Sequence, residues 1–475
     1  MSLYLFLVMM IVAYVATCQQ QNTSSPTAIV DQAYTFLTEH LVEGSRCWDG
    51  PNGEPNQCYD FHFYRPSMTK YATAQWLWDS GSHMITWSHK NVSNSIADLR
   101  TMVQMQRRNG FIPETIFWPP QSNVTNVNNM WFYNNTEVCE ISQLPVLPYS
   151  LRAIWNATHN VSLLHEFVPP LVRYLDWWFQ TRRLSDSGLI SILHGWESGL
   201  DASPIYDAAY NVSSNPTFEQ MYPHFDDLMV SYNLYYGWDM DDILSRQAAP
   251  EIPNTLLNAW FYVEDIGVNS VFGAGWGVLA ELAMLMGNQT LATFCSAREA
   301  EVLGSVLSHG WDANLHRFVS RWRAPNGTWL TTDPETVQSL MPLLFSQLPN
   351  DIATSIVTTQ LLNTSKFWTN FPIPSTSADC PSFTPDETVD LMWRGPTWGF
   401  TNWLIMEGLN VHHFTQPLND MMDRWMQLVE LSGIWEMYNP NTGAAYGVEG
   451  LGMSCIVVDW MVRLGRVNVT QSVVV

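Results

Sequence analysis

The chain has 475 residues, 46% of them hydrophobic and 14% charged, with a formal net charge of -23. That hydrophobic content excludes a disordered chain. The negative charge, with Lys70, Lys90 and Lys366 the only lysines, disfavours a nucleic-acid backbone or an anionic membrane as partner.

In chain order, Met1 to Val15 is almost wholly apolar, and Ala16-Thr17-Cys18 then offers small residues. Residues 1–18 read as a signal peptide. The run is short for an uncleaved membrane anchor, which needs roughly 20 apolar residues. The mature chain, 19–475, is expected to form one domain with no membrane segment. Asn-x-Ser/Thr sequons at Asn22, Asn91, Asn123, Asn134, Asn156, Asn160, Asn211, Asn288, Asn326, Asn363 and Asn468 point to the secretory pathway, with a secreted or lumenal destination. Six cysteines remain after cleavage, too few for a disulfide scaffold. Cys47 and Cys58 flank a Pro/Gly/Asn-rich stretch and are the expected bridge.

From residue 28 to 464 no linker-like or low-complexity stretch divides the chain, and apolar spacing is helical in most blocks. Leu171, Tyr174, Leu175 and Trp178 follow i, i+3, i+4, i+7, as do Leu418, Met421, Met422 and Trp425. Pro169-Pro170 and Pro417 are placed at helix starts, where proline is tolerated. Gly273, Gly275 and Gly277 in an apolar run predict close helix packing, and Glu281 argues against a membrane span there. Twelve to fourteen helical blocks with few period-two strands predict one large all-α domain. A ring of paired helices would gather its long loops at one mouth.

Most chemical motifs are absent. There is no Walker loop, no complete G-x-G-x-x-G and no G-x-S-x-G elbow. Pro169 stands where H-E-x-x-H needs its second histidine, and adjacent His412-His413 is poor ligand spacing, so no metal is expected. No cofactor is expected either. Four loops remain, rich in carboxylate, tryptophan and glycine: Gln75 to Ser80, Gly195 to Pro204, Trp393 to Trp398, and Gly433 to Pro440. Singly, each has a bland account: Asp79 or Asp201 as a turn or helix cap, Glu436 as a surface carboxylate, the 23 tryptophans as core. Together they have the make-up of a carbohydrate hydrolase cleft. Flat rings suit sugar faces, one carboxylic acid can protonate the leaving oxygen, and one carboxylate can activate water.

The four loops together, in order and spacing from about Phe61 to Trp460, resemble glycoside hydrolase family 63, most closely its compact mannosylglycerate hydrolase-like branch. The resemblance implies an (α/α)6 barrel and metal-free hydrolysis of a small α-linked glycoside with inversion. Asp201 matches the family's general acid and Glu436 its general base; Glu197 is the rival acid, which the resemblance reads instead as a supporting carboxylate. The Asp201 pKa is expected to be raised by burial or by a nearby carboxylate, with Glu197 the obvious candidate. The matching substrate-binding positions are Trp76, Leu77, Trp78, Asp79, Gln143, Gly199, Met392, Trp393 and Trp398. Two departures bear on specificity. Met392 stands for the family's Tyr, and Glu114 for its His. A negative Glu114 is expected to disfavour an anionic aglycone, unless Arg394 or Arg65 compensates. The alternatives are trehalase-like or oligosaccharide α-glucosidase specificity, and a non-catalytic sugar-binding protein on the same barrel.

Overall fold

The computed structural model describes residues 25–71, 73–118, 138–139, 141–212, 261–386 and 391–471. The signal peptide and the sequons at Asn22, Asn123 and Asn134 lie outside the described residues.

Six helical segments close a ring. Leu77–Trp87 packs on Leu147–Thr158, which packs on Ile266–Leu285. The ring continues through the 3-10 segment Val337–Leu344, the helix Gly399–Val411 and the short Gly452–Ile456, which returns to Leu77–Trp87. Each has an outer companion: Val92–Val103, Val161–Arg182, Gln289–Gly310, residues 350–361, Thr415–Ser432 and Pro26–Glu39. This double ring is the expected (α/α)6 barrel.

Composition sorts the two rings. An inner helix is covered on every side, so it presents no wet polar face and apolar or small residues predominate all round. All eleven residues of Leu77–Trp87 are buried, as are the first eleven of Gly399–Val411. An outer helix needs one apolar stripe. In Thr415–Ser432 that stripe includes Leu418, Met421, Met422 and Trp425, all buried, in keeping with their spacing. Ile266–Leu285 is long and apolar enough to cross a membrane, yet 78% of its most apolar window is buried in the ring. Its glycines allow that fit. A Cβ on Gly273 would lie 2.5 Å from the Phe345 ring, and one on Gly277 2.5 Å from Glu299 Oε1.

Pro169-Pro170 corrects one expectation: the pair lies inside the helix Val161–Arg182, which starts after the Asn160 cap. The carbonyls that lose their helical donors belong to His165 and Glu166, on the exposed face, where water can bond them. The buried face, with Leu171, Tyr174, Leu175 and Trp178, carries the helix past the break. Cys47 and Cys58 form the expected disulfide, as directly opposed residues of the hairpin Leu41–Trp48 and Gln57–Tyr64.

Candidate active site

The inner segments begin immediately after loops that carry the sequence-predicted residues. Trp76 pairs in a short strand with Thr115, and the chain turns at once into the helix Leu77–Trp87. Trp398 likewise precedes Gly399–Val411, and Leu451 precedes Gly452–Ile456. A cavity of about 320 Å³ opens against these helix starts. Trp76, Trp78, Asp79, Gln143, Gly199, Asp201, Met392, Trp393 and Trp398 all line it.

Tryptophan rings shape the cavity. Trp393 and Trp398 stack with centroids 4.0 Å apart, and Trp78 leans on Trp393 at 6.0 Å. The Trp398 indole donates to the Met392 carbonyl at 3.1 Å. Gly199 has φ +72°, and a Cβ there would lie 2.8 Å from the Trp78 ring. Only glycine satisfies both constraints. On the next wall a hydrogen-bond relay runs from Trp78 N–H to Gln143 Oε1 at 3.1 Å, then from Gln143 Nε2 to Glu114 Oε1 at 3.1 Å.

Asp201 accepts from the Trp393 indole N–H at 3.1 Å. Desolvation raises its pKa to about 6 and the Glu436 charge adds to the rise, while its own backbone, the Trp393 hydrogen bond and Lys70 oppose it. Burial pushes Asp79 to about 8. Glu114 lies well above the ordinary carboxylate range, first from burial and then from the charges of Asp201, Glu197 and Asp79. Burial therefore favours the protonated form of both Asp79 and Glu114. That bears against the expected negative charge at Glu114: a buried carboxyl among other carboxyls holds its proton more tightly.

Glu197 is not the neighbour that tunes Asp201. Its Oε1 accepts from Arg182 at 2.7 Å and its Oε2 from Leu193 N–H at 2.7 Å, with both side chains buried. Arg394 is likewise committed to Asp207, and Arg65 is not among the cavity-lining residues.

Two predicted residues do not line the cavity. Leu77 is buried, its N–H bonded to the Glu114 carbonyl at 2.8 Å. Glu436 is fully buried behind Lys70 and Tyr71. It sits where the hairpin Trp435–Tyr438 and Ala445–Glu449 breaks register, and its Oε2 accepts from Val448 N–H at 3.0 Å. Gly447, at φ +76°, leaves it room: a Cβ there would overlap Glu436 Oε2. Lys70 Nζ donates to both Glu436 oxygens, at 2.8 and 2.9 Å, and the Tyr71 hydroxyl donates to Oε1.

Sequence reasoning missed Lys70 and Tyr71, and also Phe117, Leu451 and Met453 on the apolar wall. Lys70 carried a usable signal: it is one of three lysines and stands six residues before Trp76. Among the described residues no cluster of three or more His, Cys, Asp or Glu could hold a metal ion.

The cavity can bind a small polyol between rings and offer it both neutral and ionised carboxyl groups. Comparison with known proteins agrees with that capacity. Mannosylglycerate hydrolase of Thermus thermophilus is 24% identical over 413 residues, covering 82% of this chain and 94% of its own. Glucosylglycerate hydrolase of Mycolicibacterium hassiacum is 24% identical over 429 residues, covering 81% and 91%. Among solved structures, GH63 mannosylglycerate hydrolase from T. thermophilus in complex with Tris and D-glycerate superposes with a TM-score of 0.75 at 20% identity, covering 92% of this chain and all of that one. Neutral trehalase from Saccharomyces cerevisiae shares the fold at a TM-score of 0.53 and 14% identity, covering 92% and 80%. The profile of the mannosylglycerate hydrolase MGH1-like glycoside hydrolase domain matches residues 71–454, and the chain belongs to that family of glycoside hydrolases.

Proposed function

We propose that the chain is an inverting hydrolase of small α-linked hexosyl glycosides of the glycerate type, with Asp201 as general acid and Glu436 as general base. The observation that carries this reading is the placement of Asp201. It lies in a tryptophan-lined cavity with its pKa raised to about 6, and it feels the charge of a second carboxylate, Glu436, held behind the wall. Inversion needs such a pair: the acid protonates the glycosidic oxygen while the base takes a proton from water on the opposite face of the ring. The sugar packs against the Trp78 and Trp393 rings, with Asp79 and Gln143 bonding its hydroxyls. Asp79, neutral at pH 7, can donate as well as accept. The relatives named for mannosylglycerate and glucosylglycerate support glycerate as the aglycone and leave the choice of hexose to experiment.

The test is to supply α-mannosylglycerate, α-glucosylglycerate and trehalose separately and follow the first-formed anomer by proton NMR. Initial release of the β-hexose from a glycerate conjugate is expected. Initial α-hexose would overturn inversion, and exclusive turnover of trehalose would overturn the substrate class. Asp201→Asn should lower kcat on the natural glycoside by about 10² to 10⁴, the range for removing a general acid.

We also infer that residues 1–18 are a cleaved signal peptide and that the mature chain, a single domain, is a secreted or lumenal glycoprotein. The sequon asparagines among the described residues are all exposed or half-buried, and the Cys47–Cys58 disulfide suits an oxidising compartment. Expression in a secreting eukaryotic cell, with and without enzymatic deglycosylation, tests this. An unglycosylated product retaining residue 1 would refute it.

A further inference from the structure

Glu436 has no acceptor site left for water. A carboxylate offers about four lone-pair directions, and four hydrogen bonds from three groups fill them. Oε1 accepts from Lys70 at 2.8 Å and from the Tyr71 hydroxyl; Oε2 accepts from Lys70 at 2.9 Å and from Val448 N–H at 3.0 Å. A base in that state cannot take a proton from a nucleophilic water until a donor leaves. Val448 N–H belongs to the hairpin backbone, and the Tyr71 ring is set edge-on against Trp76 with centroids 6.1 Å apart. Lys70 differs. Its ammonium rides on a flexible four-carbon stem, its side chain is 33% exposed, and its remaining interactions are the weak contacts to Met392 Sδ at 3.5 Å and the Tyr71 ring at 5.2 Å and the attraction of the Asp201 charge. It is also the one cationic side chain among the described residues that line the cavity.

We propose that Lys70 is a specificity-determining latch: a carboxylate on the aglycone draws its ammonium away from Glu436, and the freed carboxylate then accepts the proton of the attacking water. The inference rests on Glu436 being the base of the proposed hydrolysis. Lys70 exchanges one carboxylate partner for another, so little is lost in the exchange, whereas a neutral aglycone offers nothing to replace the bond it must break. Discrimination therefore falls on kcat, through a positioning residue that acts on the base, and not on binding alone.

The experiment uses the α-glycosyl fluoride of whichever hexose the enzyme releases, because fluoride leaves the aglycone space empty. Formate is added at constant ionic strength against chloride. Formate should accelerate the unmodified enzyme several-fold, by standing in for the missing carboxylate. Lys70→Met should cleave the fluoride faster than the unmodified enzyme and ignore formate. On paired substrates, a hexosylglycerate and its neutral hexosylglycerol, Lys70→Met should shrink the kcat preference for the carboxylate by about tenfold, the scale of one close charge pair. Lys70→Arg should keep part of it. Absence of formate activation in the unmodified enzyme overturns the latch, and so does an equal loss on both substrates in Lys70→Met. The formate arm needs no variant and stands even where Lys70→Met fails to fold. If no fluoride and no hexosylglycerate is cleaved, the glycosidase reading itself falls, and that result is distinct from a cleaving enzyme indifferent to formate.

Discussion

The indole N–H of Trp393 donates to Oδ1 of Asp201 at 3.1 Å while the Trp393 ring stacks on Trp398 at 4.0 Å. One residue therefore shapes the cavity wall and, in the proposed hydrolysis, tunes the acid. The hydrogen bond favours the ionised carboxylate and opposes the desolvation that lifts Asp201 to about 6. Trp393→Phe keeps an aromatic ring and removes the donor. The Asp201 pKa should then rise, and the alkaline limb of the kcat/KM profile should move upward with it. A pH profile of the variant that overlies that of the unmodified enzyme would separate Trp393 from the acid.

The profile of the unmodified enzyme follows from the same group. A general acid works only when protonated, and kcat/KM reports the free enzyme. With a pKa of about 6, Asp201 holds its proton below pH 6 and loses it above. Activity per active site should fall about tenfold for each pH unit above that limb, so turnover at pH 5.5 should exceed that at pH 8. The limb in kcat should lie higher, because bound sugar excludes water and deepens the desolvation. An alkaline limb near the ordinary carboxylate pKa would mean that Asp201 is solvated in solution.

Much of this was legible in the chain, and the reasons are particular. The stripe Leu418, Met421, Met422, Trp425 announces an outer helix because one face of it is wet. The inner helix Leu77–Trp87 has no such stripe, since every face is covered, and its place could be taken only from the loop before it. The cavity residues Trp76 to Asp79 and Trp393 to Trp398 were readable because rings and carboxyl groups crowd there within a few positions. The pairing of Lys70 with Glu436 was not, because the two stand 366 residues apart and pairing across a ring leaves no mark on local spacing. The protonation of Glu114 escapes a reading of the chain for a related reason: it depends on burial beside Asp201, Glu197 and Asp79, which sequence order does not display.

Gly199 offers a test of the wall. Its φ is positive, and a Cβ added to it would lie 2.8 Å from the Trp78 ring, so alanine is strained there in backbone and in space. Gly199→Ala should cost about 1–3 kcal/mol of stability, seen as a lower Tm. It should lower kcat/KM further by tilting Trp78, which also abuts Trp393. A variant with unchanged Tm and activity would show that the loop relaxes freely and that Trp78 is not fixed by it.

Glu114 decides whether the cavity repels an anionic aglycone. Its Oε1 accepts from Gln143 Nε2 at 3.1 Å and its Oε2 from the Cys139 thiol at 3.5 Å. Burial first, and then the charges of neighbouring carboxyl groups, favour its protonated form. In that state it is nearly isosteric with glutamine. Glu114→Gln should therefore keep kcat/KM within about threefold, below the cost of a typical lost hydrogen bond to a charged group. It should leave the ratio between hexosylglycerate and hexosylglycerol unchanged at pH 7. If Glu114 were ionised, the same substitution would remove a like charge worth on the order of a kcal/mol or more at close range, and preference for the glycerate would rise about tenfold or more. The paired-substrate ratio, measured for both enzymes at low salt, separates the two protonation states without reference to the identity of the hexose.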